Sequence, residues 1–497
     1  MYNIFLTIFF LLVFHPLFAQ QVTISGNAPD YAGNVIVFYT LDNYFCEGEI
    51  NIAECTVGDN GDFSVNFPVS DVKLIFTRLG VFNVRLFVEP GFSYEVQLPP
   101  LINKAPEDMV NPFFKESMVT MYLLSVKNNK DEIIDTDKDL NNQILGFYQT
   151  FNLYYDSLAV DVAFRRPVAR LDSIINDFME ILPQTDNRFF DDYAFYRSGL
   201  LYFIAQRGGV RYISEKYFAR KPLQYDNQAY MELFNNTYDE YFRQTNSAIS
   251  NAINRQGSFI RLKRLLLQDG VLPTDSLCEL VILKNTHDEF YAEQFSRSAL
   301  LNILDSVIVY SKIERHCEIA EQIRSKITRL LRGFEPPDFE LYKHDNTLVN
   351  LQNYSGKYVY LMFCTTYSYI CLSQYKHLEE LYQRHHKWLD IVVISADDNF
   401  ENMLDFRQKS GYLWDFLHFG NDPEVLKKYD VRMFPTGYLI DPEGKMVLSP
   451  APAPVPLYVP EYYDEGGASE LERTLWRELN NKGLWQEYIR RGLIDTR

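Results

Sequence analysis

The sequence is poor in positive charge. Its 48 Lys and Arg are outnumbered by 66 Asp and Glu, leaving a formal net charge of −18. Nucleic-acid binding draws on a basic face that neutralises phosphates, and none is visible. The same deficit removes an electrostatic hold on an anionic membrane surface. Long apolar runs are equally scarce. Past the N-terminus no segment approaches the roughly 18 apolar residues that a membrane-crossing helix requires. No integral membrane segment is therefore expected in the mature chain. No H-E-x-x-H spacing occurs, and neither a metal nor a cofactor is expected. Trp is rare at 4, although Tyr and Phe number 35 and 37. Those rings serve either as packing bulk or as a surface for carbohydrate or peptide.

At 497 residues, 47% of them apolar, the chain is too long for one core, and two to four domains are expected. Ile4 to Phe14 is apolar except for Thr7, and Ala19 is a small residue just beyond it. The run is too short to span a bilayer but fits a signal peptide, so residues 1–19 are predicted to be cleaved on export to the periplasm or cell envelope. Met1-Tyr2-Asn3 departs from that pattern by offering no Lys or Arg. Export would place Cys46, Cys55, Cys278, Cys317, Cys364 and Cys371 in an oxidising compartment, where six thiols allow fifteen pairings. Cys46 and Cys55 are close enough in sequence to staple a strand pair.

Residues 20–100 read as an N-terminal antiparallel β-sandwich. Phe63, Val65 and Phe67 alternate with polar residues after the turn signal Asn60-Gly61; Val84, Leu86, Val88 and then Tyr94, Val96, Leu98 repeat the pattern. Pro99-Pro100 closes this region. Residues 101–332 change to a helical period. Leu171, Ile174, Ile175, Phe178 and Leu182 share one face, as do Leu300, Leu304, Val307 and Ile308. Carboxylates such as Asp288-Glu289 read as solvated faces. Gly333 to Asp338 (G-F-E-P-P-D) ends the last helix of that region. Residues 333–497 then read as an α/β domain with a C-terminal extension. Val359, Leu361 and Phe363 mark one strand and Ile391 to Ser395 a central one. A helix from about Ser469 to Asn480 covers the sheet, and Pro450 to Pro456 form a stiff extended strip.

Pro337-Asp338-Phe339, Tyr354-Ser355-Gly356-Lys357, Phe363 to Cys371 (F-C-T-T-Y-S-Y-I-C) and Val431 to Thr436 (V-R-M-F-P-T) occur in that order. This stretch, residues 334–458, resembles the TlpA-like, thioredoxin-like family of periplasmic thiol-disulfide oxidoreductases. The resemblance implies a thioredoxin fold and a protein or peptide partner. It also implies that Pro435 is cis and faces the site beside Phe434, with Tyr367 and Tyr369 at the substrate face. In the family two cysteines open a helix: an exposed thiolate attacks a substrate disulfide and a buried second cysteine resolves it. Here Ser368 stands in the first position and Cys371 in the second. A serine hydroxyl is too weak an acid for thiolate exchange without a base, and no His or Asp adjoins it. The ordinary dithiol cycle is therefore not expected.

Three readings of the remaining thiols stay open. Cys371 is an inert buried residue; or Cys364, in the place of the family's first Trp, is its relocated partner; or Ser368-x-x-Cys371 works as a peroxiredoxin-like single-cysteine site. For the last, no catalytic arginine is identified, although Arg432 lies close in sequence to Pro435. A non-catalytic peptide-binding module of the envelope is the alternative class. His385-His386 read as a solvated pair, and Asp397-Asp398 as caps of the following helix.

Overall fold

The computed structural model describes residues 19–164, 171–183, 185–205, 207, 209–219, 221–245, 247–420, 423–455 and 468–494. Apart from Ala19, the expected signal sequence lies outside them, as does Pro456 of the proline strip. The chain forms two compact units. One comprises the chain up to Asn103 together with Glu116–Arg324, and the other comprises Lys104–Lys115 with Ser325–Arg497.

In the first unit, strands β1 (Gln20–Asn27), β2 (Val35–Leu41), β3 (Glu49–Thr56), β4 (Asp62–Val69), β5 (Lys73–Leu79), β6 (Phe82–Val88), β7 (Ser93–Gln97), β8 (Ser117–Thr120) and β9 (Tyr122–Lys127) form two sheets. Their orders are β4-β1-β7-β9 and β3-β2-β5-β6-β8. Strict alternation along β4 buries Phe63, Val65, Phe67 and Val69 and turns their neighbours outward. Inward residues of both sheets meet in one core that includes Val22, Ile36, Phe38, Leu86 and Val96. The expected all-antiparallel pairing is corrected: β1 pairs with β7 in parallel, and β6 with β8. Neither pair is joined by a hairpin; each closes through a long connection, which permits parallel entry. The sheets also run past Pro99-Pro100, since β8 and β9 each add an edge strand.

Cys46 and Cys55 do not bond to each other. Cys46 precedes β3 and Cys55 stands near its far end, opposite Ile36. At about 3.3 Å per residue an extended strand holds them far beyond disulfide reach.

The helices of this unit bury the predicted faces: Leu171, Ile175 and Phe178 in Leu171–Ile181, and Leu300, Leu304 and Val307 in Arg297–Tyr310. The Asn141 amide, at the start of Leu140–Ala163, takes both backbone groups of Phe87 on β6 at 2.8 and 2.9 Å, joining helix to sheet as a strand neighbour would. Asp288 lies on a solvated face as expected, but Glu289 does not. Glu289 follows helix Asp275–Asp288, which is buried nearly all round, and its carboxylate accepts from Arg243 Nε at 2.8 Å, while Asp288 pairs with Lys284. Deeper still, the Glu279 carboxylate accepts from Lys263 Nζ (2.8 Å), Ser311 Oγ (2.7 Å) and His316 Nδ1 (3.0 Å). The other His316 nitrogen meets the Tyr225 hydroxyl at 2.8 Å. One buried carboxylate thus ties together three helices and the end of a fourth.

The second unit is built on one sheet with strands β10 (Leu341–Lys343), β11 (Leu348–Val349), β12 (Tyr358–Cys364), β13 (Leu389–Ser395), β14 (Asp415–His418), β15 (Thr436–Ile440) and β16 (Met446–Ala451). The order is β11-β10-β14-β13-β12-β15-β16. Central β12 is buried at every residue, with β13 parallel on one side and β15 antiparallel on the other. Its even residues, Tyr358, Tyr360, Met362 and Cys364, enter a core with Cys371, Tyr375 and Leu378 of helix Tyr369–His385 and Leu471 and Leu475 of helix Glu470–Asn481. Its odd residues, Val359, Leu361 and Phe363, enter the core on the opposite face, against Phe339 and Tyr429. Ser469 caps the C-terminal helix through a reciprocal pair with Glu472. Pro450 and Ala451 of the proline strip finish β16. Val110, from the Lys104–Lys115 excursion, packs against the Phe339 core. Among the described residues no helix is long and apolar enough to cross a membrane.

Candidate active site

The site forms where β12 ends and helix Tyr369–His385 begins. Because β12 is central and wholly apolar, the chain leaves the sheet only at Cys364, crosses Thr365 to Tyr367 and re-enters order at Ser368, the N-cap of the helix. Ser368 has extended backbone angles (φ −71°, ψ 127°), and its hydroxyl makes no capping bond to the helix. Cys371 falls in the first turn, where N–H groups lack helical partners and favour negative charge.

Of the residues singled out from sequence, Cys364, Ser368 and Cys371 come together. The Thr365 N–H points at the Cys371 sulfur from 3.3 Å and the Thr365 hydroxyl from 3.9 Å. Cys364 is the largest influence on that sulfur and, with Thr365 and Ser368, outweighs burial to lower the Cys371 pKa to about 7. Burial, and next the neighbouring Cys371, drive the Cys364 thiol far above its ordinary range. Both sulfurs lie in residues with no exposed surface.

Phe434 and Pro435 approach from β15. Phe363 pairs with Thr436, so continuing the antiparallel register brings Pro435 level with Cys364. The Phe434–Pro435 peptide bond is cis. Around the mouth, Tyr367, Tyr369, Ile370 and Met433 are exposed, Tyr369 at 84% and Met433 at 71%. The Tyr367 hydroxyl is pushed up by burial and then by the carboxylates of Asp398, Asp397 and, from the excursion, Glu107. Arg432 is not part of the site; it pairs with Asp430 at the surface, Nε to Oδ1 3.0 Å.

Two expectations are corrected. Asn399, not Asp397 or Asp398, caps helix Phe400–Ser410. Asp397 is instead fully buried and clasps the site loop, accepting from the Thr366 N–H at 2.8 Å and the Thr366 hydroxyl at 2.7 Å. Its own carbonyl accepts from His418 Nε2 at 2.9 Å. Its place just past the C-terminal edge of β13 is the one sequence signal that marked it. His385 is not solvated either. Its position on the helix turns it toward the C-terminal helix, where Nε2 meets Glu472 Oε1 at 2.9 Å. Burial alone would raise the Glu472 carboxyl; the bonds from His385 and the Ser469 N–H and the Arg384 charge overcome it and hold the carboxyl below its usual range. His386 remains exposed.

The clasp makes a direct prediction. Asp397→Ala removes the acceptor of two charge-assisted bonds worth about 1.5 kcal/mol or more each. Alkylation of Cys371 by iodoacetamide, read by peptide mass, is expected to accelerate about tenfold or more, while the outward Asp398→Ala leaves it unchanged. An unaltered rate in Asp397→Ala would mean that the loop is held closed by something else.

Among the described residues no cluster of His, Cys, Asp and Glu is arranged to hold a metal ion. Residues 333–449 match the model of the AhpC/TSA family. The chain is similar to the thiol-disulfide oxidoreductase ResA of Bacillus cereus, 27% identical over 124 residues that make up 25% of this chain and 71% of the relative. It is 29% identical to ResA of Bacillus subtilis over 117 residues, 23% of this chain and 64% of that one. A crystallised thioredoxin domain of a thiol-disulfide oxidoreductase from Bacteroides vulgatus is 23% identical, covering 30% of this chain and 97% of its own, with a TM-score of 0.25. The stretch built on the sheet around β12 is thus similar to the AhpC/TSA family, and its relatives support a thioredoxin-like redoxin superfamily.

Proposed function

We propose that this is an exported envelope protein whose C-terminal redoxin domain engages extended polypeptide at the rim of Tyr367, Tyr369, Phe434 and Pro435 without running the ordinary two-cysteine cycle. One observation carries the reading. The outward position at the helix start is Ser368, and both nearby sulfurs are fully buried, while apolar side chains stand exposed around them. Exchange with a protein disulfide needs a sulfur that the partner can reach; docking needs an apolar, stackable surface beside a strand end. Export is supported by the apolar run Ile4 to Phe14.

Reduced, carboxymethylated lactalbumin serves as the probe, being unfolded and free of disulfides. The protein is expected to bind it, and Tyr367→Ser with Tyr369→Ser is expected to weaken binding about tenfold, as for loss of aromatic anchors. Equal binding by the double variant sinks the docking reading. Insulin reduction by the wild type at the rate of a working dithiol enzyme sinks the other half.

A second reading has its own support. The Thr365 N–H, the Ser368 hydroxyl and the helix start all stabilise a thiolate on Cys371, which suits attack on a small peroxide better than an inert core thiol.

A further inference from the structure

Cys364 and Cys371 approach each other for reasons of topology. Residues of β12 alternate between two faces, and Cys364 falls on the same side as Met362, Tyr360 and the helix that begins at Tyr369. Cys371 is in the first turn of that helix and points back at the strand end, as its 3.3 Å contact with the Thr365 N–H requires. The two side chains lie in one buried core, and the residue that follows Cys364 holds the Cys371 sulfur. Tyr375, one turn further along, is buried in the same core as Cys364, and its hydroxyl makes no hydrogen bond. A buried hydroxyl without a partner is costly unless a later state of the site uses it.

We infer that Cys364 and Cys371 are a relocated dithiol, spanning strand end and helix start, that hydrogen peroxide closes into an intramolecular disulfide. The inference rests on the peroxide reading of Cys371 given above. Complete burial selects the oxidant: a water-sized molecule can enter where a protein or glutathione disulfide cannot. The Cys371 thiolate attacks one peroxide oxygen. A sulfur–oxygen bond forms, the oxygen–oxygen bond breaks, and the departing hydroxide takes a proton from solvent to become water. Cys364 then loses its proton, and its sulfur attacks the Cys371 sulfur. The sulfur–sulfur bond forms, the sulfur–oxygen bond breaks, and the second hydroxide leaves as water with that proton. The dithiol is oxidised by two electrons and one peroxide becomes two waters. Tyr375 is a positioning residue in the second step, donating to the Cys364 sulfur as it becomes anionic. Thiolate formed at Cys364 thereby satisfies the orphan hydroxyl.

The test uses the full mature chain. Reduced protein is treated with hydrogen peroxide, quenched in acid, denatured and alkylated with N-ethylmaleimide. Trypsin cuts after Lys357 and Lys376 and releases both cysteines in one peptide, residues 358–376. That peptide is expected to lose two hydrogens and take up no maleimide until it is reduced, when it takes up two. Tyr375→Phe is expected to slow closure several-fold while leaving the first oxidation of Cys371, trapped by dimedone in Cys364→Ser, at its wild-type rate. Two maleimides on peptide 358–376 after peroxide overturn the inference and the peroxide reading together. One maleimide, with extra oxygens on Cys371, overturns the inference alone.

Discussion

Ser368→Cys converts the C-terminal domain into a disulfide reductase. Reduction of insulin with dithiothreitol as electron source is expected to rise from background by on the order of 100-fold or more, since an absent nucleophile is being supplied. The fold should tolerate the change: Ser368 already has the backbone angles of an N-cap, and its hydroxyl makes no capping bond that sulfur would forfeit. A thiol there sits at the mouth, over the unpaired N–H groups of the first turn, which lower its pKa. Cys371 stands three residues on, buried, as a resolving sulfur must. Ser368→Ala stays at background. Because Cys364 also contacts Cys371, the comparison is repeated in Cys364→Ala, where Cys371 has a single partner. Failure of Ser368→Cys in both backgrounds would show that exchange activity at this site is not governed by position 368.

Glu279→Ala lowers the unfolding free energy of the first unit by about 3–5 kcal/mol, as for breaking a buried ion pair by removing one partner. Lys263 Nζ, Ser311 Oγ and His316 Nδ1 all donate to this carboxylate. Urea melts followed by circular dichroism read the loss. Acid titration adds a second signature. Burial by itself would raise the Glu279 pKa, but the bonds from His316, Lys263 and Ser311 outweigh it and bring it from 4.5 down to about 2. A folded value below the unfolded one means the stabilisation is complete above about pH 4.5 and drains away as pH falls toward 2; at most it amounts to about 3 kcal/mol. Glu279→Gln should abolish that slope while remaining less stable than wild type at neutral pH. A slope that persists in Glu279→Gln would assign it to other carboxylates.

Local pattern made the central framework readable. β12 and β13 are apolar at almost every position because both faces are covered, and the Ser469 helix announces itself by its cap and stripe. The placement of Cys364 was readable in principle too: Tyr358, Tyr360, Met362 and Cys364 share a parity, and that parity faces the helix. What escaped depends on residues distant in sequence. Asp397 holds Thr366, His385 holds Glu472, and β14 is only four residues long. An acidic residue beside a helix reads as a cap or a solvated charge; only the packed neighbour reveals it as a clasp. Glu289 was misread for the same reason, since Arg243 lies in a different helix. The parallel pairs of the N-terminal sheets escaped because alternation gives the face of a strand but not its direction.

Lys104–Lys115 lies between strands of the first unit yet belongs to the second. During synthesis this stretch leaves the ribosome well before any strand of the sheet that Val110 packs against. At about 5–20 residues per second, the delay is on the order of ten seconds or more. The first unit must therefore assemble around a gap while holding its emissary in waiting, and the C-terminal domain, severed at Ser325 and produced alone, would lack a piece of its own core.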